Sequence, residues 1–161
     1  MKIAFDLDDT LIPTRQPFSS GSRKLGFPLG LVYKEEMRTG AVELLQGLAA
    51  EHEVWIYTTS LRGTLYLKTW FSLWGIKLAG IVNKQIHDKR VAGSKFSDFS
   101  KAPALFGISV LIDDLPGVQI ECELQGCHAI IIKPSDDDWF SVVQRKVDDI
   151  IRNKSFVLLN V

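Results

Sequence analysis

Five short apolar runs, separated by helical patterns, constrain the fold of this chain more than any other feature. The runs are rich in valine, isoleucine and aromatic residues with little apolar–polar alternation, which is typical of strands covered on both faces. They predict strands at residues 2–7, 53–57, 80–82, 108–112 and 128–132. Helical spacing predicts helices at 40–51, 61–74, 116–124 and after Ser135. This alternation predicts a three-layer, doubly wound, Rossmann-like α/β fold with a mostly parallel five-stranded sheet.

The length and composition predict one globular domain. The chain has 161 residues, of which 46% are hydrophobic and 24% are charged, and this is ordinary for a single folded unit. We therefore expect one domain over residues 1–161, with 155–161 as a tail or an added edge strand. Segment 13–37 is rich in proline and glycine. It is too long for a tight connection and too short for a cap domain, so we expect a flap over the sheet.

The charge balance and the cysteines restrict the partners and the location. The formal net charge is zero, so no overall field attracts nucleic acid or a membrane surface. No stretch approaches a membrane span, and the acids at positions 6–9 interrupt any apolar signal sequence. Cys122 and Cys127 lack the partners of a zinc site, and we expect two free thiols. The sequence thus favours a cytoplasmic protein and leaves oligomerisation open.

Three carboxylates within four residues follow the first apolar run. They are Asp6, Asp8 and Asp9, and Thr10 comes next. Like charges this close repel one another, so the cluster is costly at the end of a core strand unless a cation binds there. A hard divalent cation held by oxygens accounts for the cluster and leaves one carboxylate for chemistry. Capping of a strand-to-helix turn accounts for one aspartate and Thr10, but not for the whole run.

Polar residues follow two further predicted strands. Thr58, Thr59 and Ser60 follow the second strand, and Asp113 and Asp114 follow the fourth. In doubly wound sheets, ligands bind beyond the carboxyl ends of the strands. Because all these ends lie at one edge of a parallel sheet, the sequence predicts a single site there.

These motifs together resemble the haloacid dehalogenase superfamily of phosphohydrolases. Segment 5–11 matches its first motif, hydrophobic-D-x-D-x-T-L, segment 55–58 matches the second, and segment 110–114 matches the fourth, an apolar strand ending in two acids. The third motif is a lone lysine, for which Lys101 is the best match and Lys95 an alternative. The small flap implies the capless subclass, and segments 37–41 and 54–60 are similar to its magnesium-dependent phosphatases.

The resemblance implies Mg²⁺-dependent hydrolysis of phosphate monoesters through an aspartyl-phosphate. Asp6 would be the nucleophile, and Asp8 would be the general acid and then the general base. Lys101 would neutralise Asp6 and the incoming phosphate. The implied groups around the metal and the phosphate are the Asp6 carboxylate, the Asp8 carbonyl, Asp113 and Asp114, the Thr58 hydroxyl, and the N–H groups that follow it from Thr59 onward. Which acid of the 113–114 pair touches the metal stays open.

The flap contains the candidates for substrate selection. Arg15, Arg23 and Lys24 lie in a stretch that contains no acid before Glu35. We expect them to contact a second anionic group of a phosphorylated substrate, which the sequence does not name. Solvation of a loop surface is the alternative role for each of these charges.

Two other functions fit parts of the pattern. A phospho-accepting, receiver-like signalling domain also combines acids, a threonine and a lysine around Mg²⁺. In such a domain, however, the hydroxyl and the second acid site follow different strands from the second and fourth strands that they follow here. A non-catalytic binding module descended from the enzyme is the second alternative. Such a module has no need of so many costly charges.

Overall fold

The computed structural model describes residues 1–21 and 25–159, with the side chains of 154–159 not described. The strands are β1 (Lys2–Phe5), β2 (Glu53–Tyr57), β3 (Gly80–Val82), β4 (Val110–Asp113) and β5 (His128–Ile131). The helices are α1 (Leu29–Val32), α2 (Ala41–Glu51), α3 (Thr64–Leu73), α4 (Lys84–Val91), α5 (Pro116–Leu124) and α6 (Trp139–Leu159), with a 3₁₀ turn at Pro103–Phe106.

The five strands form one parallel sheet in the order β3-β2-β1-β4-β5. The chain proceeds from the central β1 outward to β3 and then crosses to β4 on the other side of β1. The predicted Rossmann-like α/β class is therefore confirmed. The change of direction opens a crevice beyond the carboxyl ends of β1 and β4, which is where such sheets bind ligands.

Helices cover both faces of this sheet. Ile3 and Phe5 of β1 pack in the core that contains residues of α2, α3 and α6, whereas Ala4 packs on the opposite face with residues of α5. This alternation is the pleat of a strand buried on both faces. It gives the three layers and holds β1 rigidly at the centre of the molecule.

Helices α3, α4 and α6 differ from the prediction. Helix α3 begins at Thr64 rather than at residue 61, because Asn83 and Lys84 bind the carbonyls of Arg62 and Ser60 and hold the preceding loop out of the helix. Helix α4 was not predicted, since its sequence is mostly polar and lacks an apolar stripe. Helix α6 continues to Leu159, so the expectation of an edge strand or tail is wrong for 155–159. No glycine or proline interrupts that stretch.

Segment 13–37 is largely irregular where it is described. It contains the short helix α1 and one antiparallel bridge, between Ser20 and Arg38. Its two ends contact the sheet edge through Thr14 and Glu35, and its role as a flap stays a prediction. Two of its predicted substrate contacts, Arg23 and Lys24, lie outside the described residues. None of the helices in the described part of the chain is long and apolar enough to cross a membrane.

Candidate functional site

Three predicted acids meet at the crevice between β1 and β4. One carboxylate oxygen each of Asp6, Asp113 and Asp114 lies within 4.8 Å of the other two. The Asp6 N–H donates to the Ile112 carbonyl at 2.8 Å, which extends the pairing of β1 and β4 by one residue and fixes Asp6 beside the end of β4. Asp6 and Asp113 are buried and Asp114 is half-buried.

Burial makes these carboxylates hard to ionise. Loss of water raises the pKa of Asp6 to about 6 against the attraction of Lys101, and the negative charge of Asp113 adds to the rise. Burial likewise raises the pKa of Asp113 and of Asp114. A bound cation would remove this penalty, because it stabilises the ionised form of each acid.

The donor set fits a hard divalent cation. It consists of carboxylate oxygens, the ligands that Mg²⁺ prefers. One of these oxygens, Asp113 Oδ2, is buried without a hydrogen bond and lies 3.5 Å from Lys101 Nζ. Asp6, Asp113 and Asp114 could therefore hold a Mg²⁺ ion, with water completing its coordination.

Lys101 is the lysine that the fold brings to the acids. Its ammonium is buried and donates to Asp6 Oδ1 and to the Tyr57 carbonyl, both at 2.5 Å. Burial alone would lower the pKa of Lys101, but the charges of Asp6 and Asp113 raise it, so the ammonium stays protonated. The alternative, Lys95, is exposed, with its Nζ 5.0 Å from the centre of the Phe96 ring.

The backbone around Lys101 is held by side chains from α5 and β2. Glu121 accepts from the Lys101 N–H at 2.9 Å, and the Gln125 amide donates to the Lys101 carbonyl at 3.0 Å. The Ala102 N–H donates to the Tyr57 hydroxyl at 2.7 Å. These contacts position an otherwise irregular loop beside the acid cluster, and no sequence motif predicts them.

A buried histidine, His87, also helps to hold this loop. The Phe99 carbonyl can only accept, so His87 Nε2 carries the proton and donates it to that carbonyl at 3.1 Å. In a neutral ring Nδ1 then accepts from the Tyr57 hydroxyl, 2.6 Å away, and this hydroxyl also accepts from the Ala102 N–H. Burial lowers the pKa of His87, which agrees with a neutral ring that accepts at one nitrogen and donates at the other.

The Asp8 carboxylate is not one of the three grouped acids and contacts residues of the adjoining loops. It accepts hydrogen bonds from Thr14 Oγ1 at 2.7 Å, from Thr58 Oγ1 at 3.3 Å, and from Arg62 Nη1, which lies 3.0 Å from both of its oxygens. The side chain of Asp8 is 21% exposed. A carboxylate in this position is accessible to a ligand that enters the crevice.

The residues after β2 form a loop rather than the start of a helix. Thr58 is buried, and its hydroxyl accepts from the Ser60 N–H at 3.1 Å. Thr59 is exposed. Since α3 begins only at Thr64 and not at residue 61 as predicted, the N–H groups expected to bind phosphate would have to come from this loop.

Arg62 and Glu35 were missed by the sequence reasoning. Arg62 Nε and Nη2 donate to Glu35 Oε1 at 2.9 and 2.6 Å, while Nη1 contacts Asp8. Burial opposes the charge of Arg62, but the hydrogen bonds and charges of Glu35 and Asp8 raise its pKa. Its position four residues after Thr58, in the loop at the carboxyl end of β2, was an available signal. The sequence contains no comparable signal for Glu35.

Asp9 and Arg15 serve the turn after β1. Asp9 is buried at φ 60° and accepts from the backbone N–H groups of Thr14, Arg15 and Gln16, and from Arg15 Nε at 2.8 Å. Burial works against it, but these hydrogen bonds lower the pKa of Asp9. Arg15 is thus paired with Asp9, and its side chain is 67% exposed. Its contact with a substrate stays a prediction.

Comparison with known proteins does not assign a function to this chain. No family model matches the chain, and no curated protein matches it. The functional conclusion therefore depends on the sequence motifs and on the geometry of the carboxylates, Lys101 and the loop after β2.

Proposed function

We propose that this protein is a Mg²⁺-dependent phosphomonoester hydrolase that acts through a phosphorylated aspartate. The observation that carries the proposal is the convergence of Asp6, Asp113 and Asp114 with the buried ammonium of Lys101. The motifs similar to those of capless haloacid dehalogenase phosphatases support the same assignment. On sequence grounds we place the enzyme in the cytoplasm, and both cysteines are free thiols.

The acid cluster would provide the metal site. Asp6 and the more accessible Asp114 are the proposed direct ligands, together with the Asp8 carbonyl. Asp113 would order the site, since it lies against Lys101 and its Oδ1 accepts from the Leu115 N–H at 2.9 Å. Bound Mg²⁺ supplies positive charge that neutralises the transferring phosphoryl group.

Asp6 is the proposed nucleophile. Lys101 holds one oxygen of the carboxylate, and the second oxygen would attack phosphorus as the bond from phosphorus to the leaving oxygen breaks. Asp8 would give its proton to that leaving oxygen. In the second step Asp8 would take a proton from water, which attacks phosphorus, releases phosphate and restores the Asp6 carboxylate.

The phosphoryl oxygens would also need hydrogen-bond donors from the protein. The Thr58 hydroxyl and backbone N–H groups of the loop that includes Thr59 are the proposed donors, with Lys101 as a point charge. Most of the catalytic effect in phosphoryl transfer comes from such positioning and charge neutralisation.

The test is turnover of 4-nitrophenyl phosphate with Mg²⁺ and with excess chelator, followed by acid quench and mapping of the phosphorylated residue. We expect Mg²⁺-dependent hydrolysis and phosphate on Asp6, and neither in Asp6→Asn. Asp98→Asn, which removes an exposed acid, is the matched control. Full activity in chelator, or phosphate on another residue, would reject the mechanism. Stable phosphorylation by acetyl phosphate without ester hydrolysis would instead indicate the receiver-like alternative.

A further inference from the structure

Arg62 occupies a fixed position at the edge of the crevice. Its backbone carbonyl accepts from the Asn83 side-chain amide at 3.0 Å, and the same Asn83 caps α4 by accepting from the Ile86 N–H at 3.0 Å. The Arg62 side chain is 23% exposed. The residue is therefore anchored at its backbone and accessible at its guanidinium.

Glu35 sets the direction in which the guanidinium points. It takes hydrogen bonds from Nε and Nη2, which leaves the Nη1 edge against Asp8. A guanidinium has five N–H donors, so these four hydrogen bonds leave one donor free. Because Glu35 and Asp8 already order the side chain, a ligand that accepts from the remaining N–H loses little of the usual entropy of fixing an arginine.

The neighbouring cations contact other acids. Lys101 is buried against Asp6 and Asp113, and the exposed Arg15 donates to Asp9. Arg62 is a partly exposed positive charge in direct contact with Asp8, and its remaining N–H can donate to one oxygen of a carboxylate or phosphate group.

We infer that Arg62 selects the substrate by binding a second anionic group, a carboxylate or a phosphate, carried by the leaving group. The inference rests on the proposed function in one respect, the role of Asp8 beside the leaving oxygen. Since Nη1 lies 3.0 Å from both Asp8 oxygens, a group attached near that oxygen comes within reach of the guanidinium. This assigns to Arg62 the selecting role that the sequence suggested for the flap arginines and Lys24.

Binding of two inert ligands tests the inference without requiring turnover. The probes are 3-carboxybenzylphosphonate and 3-carbamoylbenzylphosphonate, which are nearly isosteric and differ by one negative charge. Their dissociation constants are measured by calorimetry in the presence of Mg²⁺. We expect the wild-type protein to bind the carboxylate at least about tenfold more tightly than the amide, because a charge-assisted hydrogen bond is stronger than a neutral one.

Variants test whether Arg62 causes the preference for the charged probe. In Arg62→Gln the ratio of the two constants should fall to about one, and Arg62→Lys should keep a preference in the same direction because the charge remains. Arg152→Gln removes an arginine that is 73% exposed on α6 and should leave the ratio as in the wild type. No binding of the charged phosphonate by the wild type, equal affinity for both probes, or an unchanged ratio in Arg62→Gln would overturn the inference.

This outcome is separable from that of the proposed function. A charge preference that depends on Arg62, without hydrolysis of phosphate esters, would support the binding role and reject the phosphatase. Hydrolysis of phosphate esters without that preference would support the phosphatase and reject the binding role of Arg62.

Discussion

At the scale of single residues, the site is governed by the burial of charge. Three acidic side chains of the crevice have a raised pKa, and the ammonium that balances two of them is itself buried. Burying a charge is costly unless an opposite charge accompanies it. The consequences are clearest for Lys101 and for the two acids proposed to act on the substrate.

Replacing Lys101 should destabilise the fold strongly. Lys101→Met leaves Asp6 and Asp113 without their cation, and breaking a buried pair costs about 3–5 kcal/mol of the free energy of unfolding. Urea denaturation at neutral pH in chelator measures the loss. Lys95→Met removes an exposed lysine and should change stability by less than about 0.5 kcal/mol. Equal effects of the two substitutions would contradict the assignment of Lys101.

Substitutions of the two acids proposed as catalytic should have different effects. Asp6→Asn should give no phosphorylated protein at all. Asp8→Asn should still phosphorylate Asp6, but about a hundredfold or more slowly for an alkyl phosphate, and with a smaller loss for 4-nitrophenyl phosphate, whose leaving group needs no proton. Rapid-quench measurement of the first turnover distinguishes these outcomes. The same loss on both substrates in Asp8→Asn would rule out its role as the acid.

At the scale of elements, loops that lack regular structure are positioned by the helices beside them. Asn83 and Lys84 at the start of α4 hold the loop that carries Arg62. Glu121 of α5 and Gln125, directly after that helix, hold the loop that carries Lys101. Rigid helices thus give these loops the precision that a polar site requires.

His87 of α4 should make stability depend on pH. Burial lowers its pKa in the folded protein from the ordinary 6.5, so below that pH the unfolded chain binds a proton that the folded protein does not. Its contribution to stability is therefore present above about pH 6.5 and is lost as the pH falls toward the folded pKa.

Chemical denaturation between about pH 7.5 and about pH 5.5 measures this contribution. Over this range stability should fall less, or rise more, in His87→Gln than in the wild type, because glutamine keeps hydrogen-bonding groups but has no proton to gain. The buried acids with a raised pKa act in the opposite direction in both proteins. His128→Gln, at an exposed position in β5, is the matched control and should follow the wild type. The same pH dependence in His87→Gln as in the wild type would show that His87 makes no such contribution.

At the scale of the whole molecule, the strand order creates the site. The central β1 separates β2 from β4, so the acids that follow β1 face Asp113 and Asp114 on one side and the loop after β2 on the other. A ligand bound at this point stabilises every element that contributes to it, because only the folded chain assembles the site.

Mg²⁺ should therefore raise the melting temperature. Saturation at about one hundred times its dissociation constant corresponds to about 2.7 kcal/mol, and calorimetry with Mg²⁺ and with chelator measures the shift. Asp114→Asn should reduce it, whereas Asp137→Asn, an exposed acid before α6, should not. A melting temperature that is the same in both conditions for the wild type would argue against a metal at the acid cluster.

The sequence alone determined the class of fold and most of the acidic residues of the site. Both depend on local chemistry: apolar runs without alternation indicate strands covered on both faces, and acids directly after such runs lie at the carboxyl edge of a parallel sheet. For that reason Asp6, Asp8, Asp113 and Asp114 were found without the structure. The mostly polar α4 escaped detection because no apolar stripe marks it.

Only the tertiary structure decided which groups meet. The sequence preferred Lys101 but left Lys95 as an alternative, and contacts from Tyr57, Glu121 and Gln125 bring Lys101 to the acids. Arg62 and Glu35 are separated by 27 positions, and nothing local to either predicts their pairing across the crevice. Such long-range contacts follow from how whole elements pack, which is a property of the folded chain and not of any short segment of it.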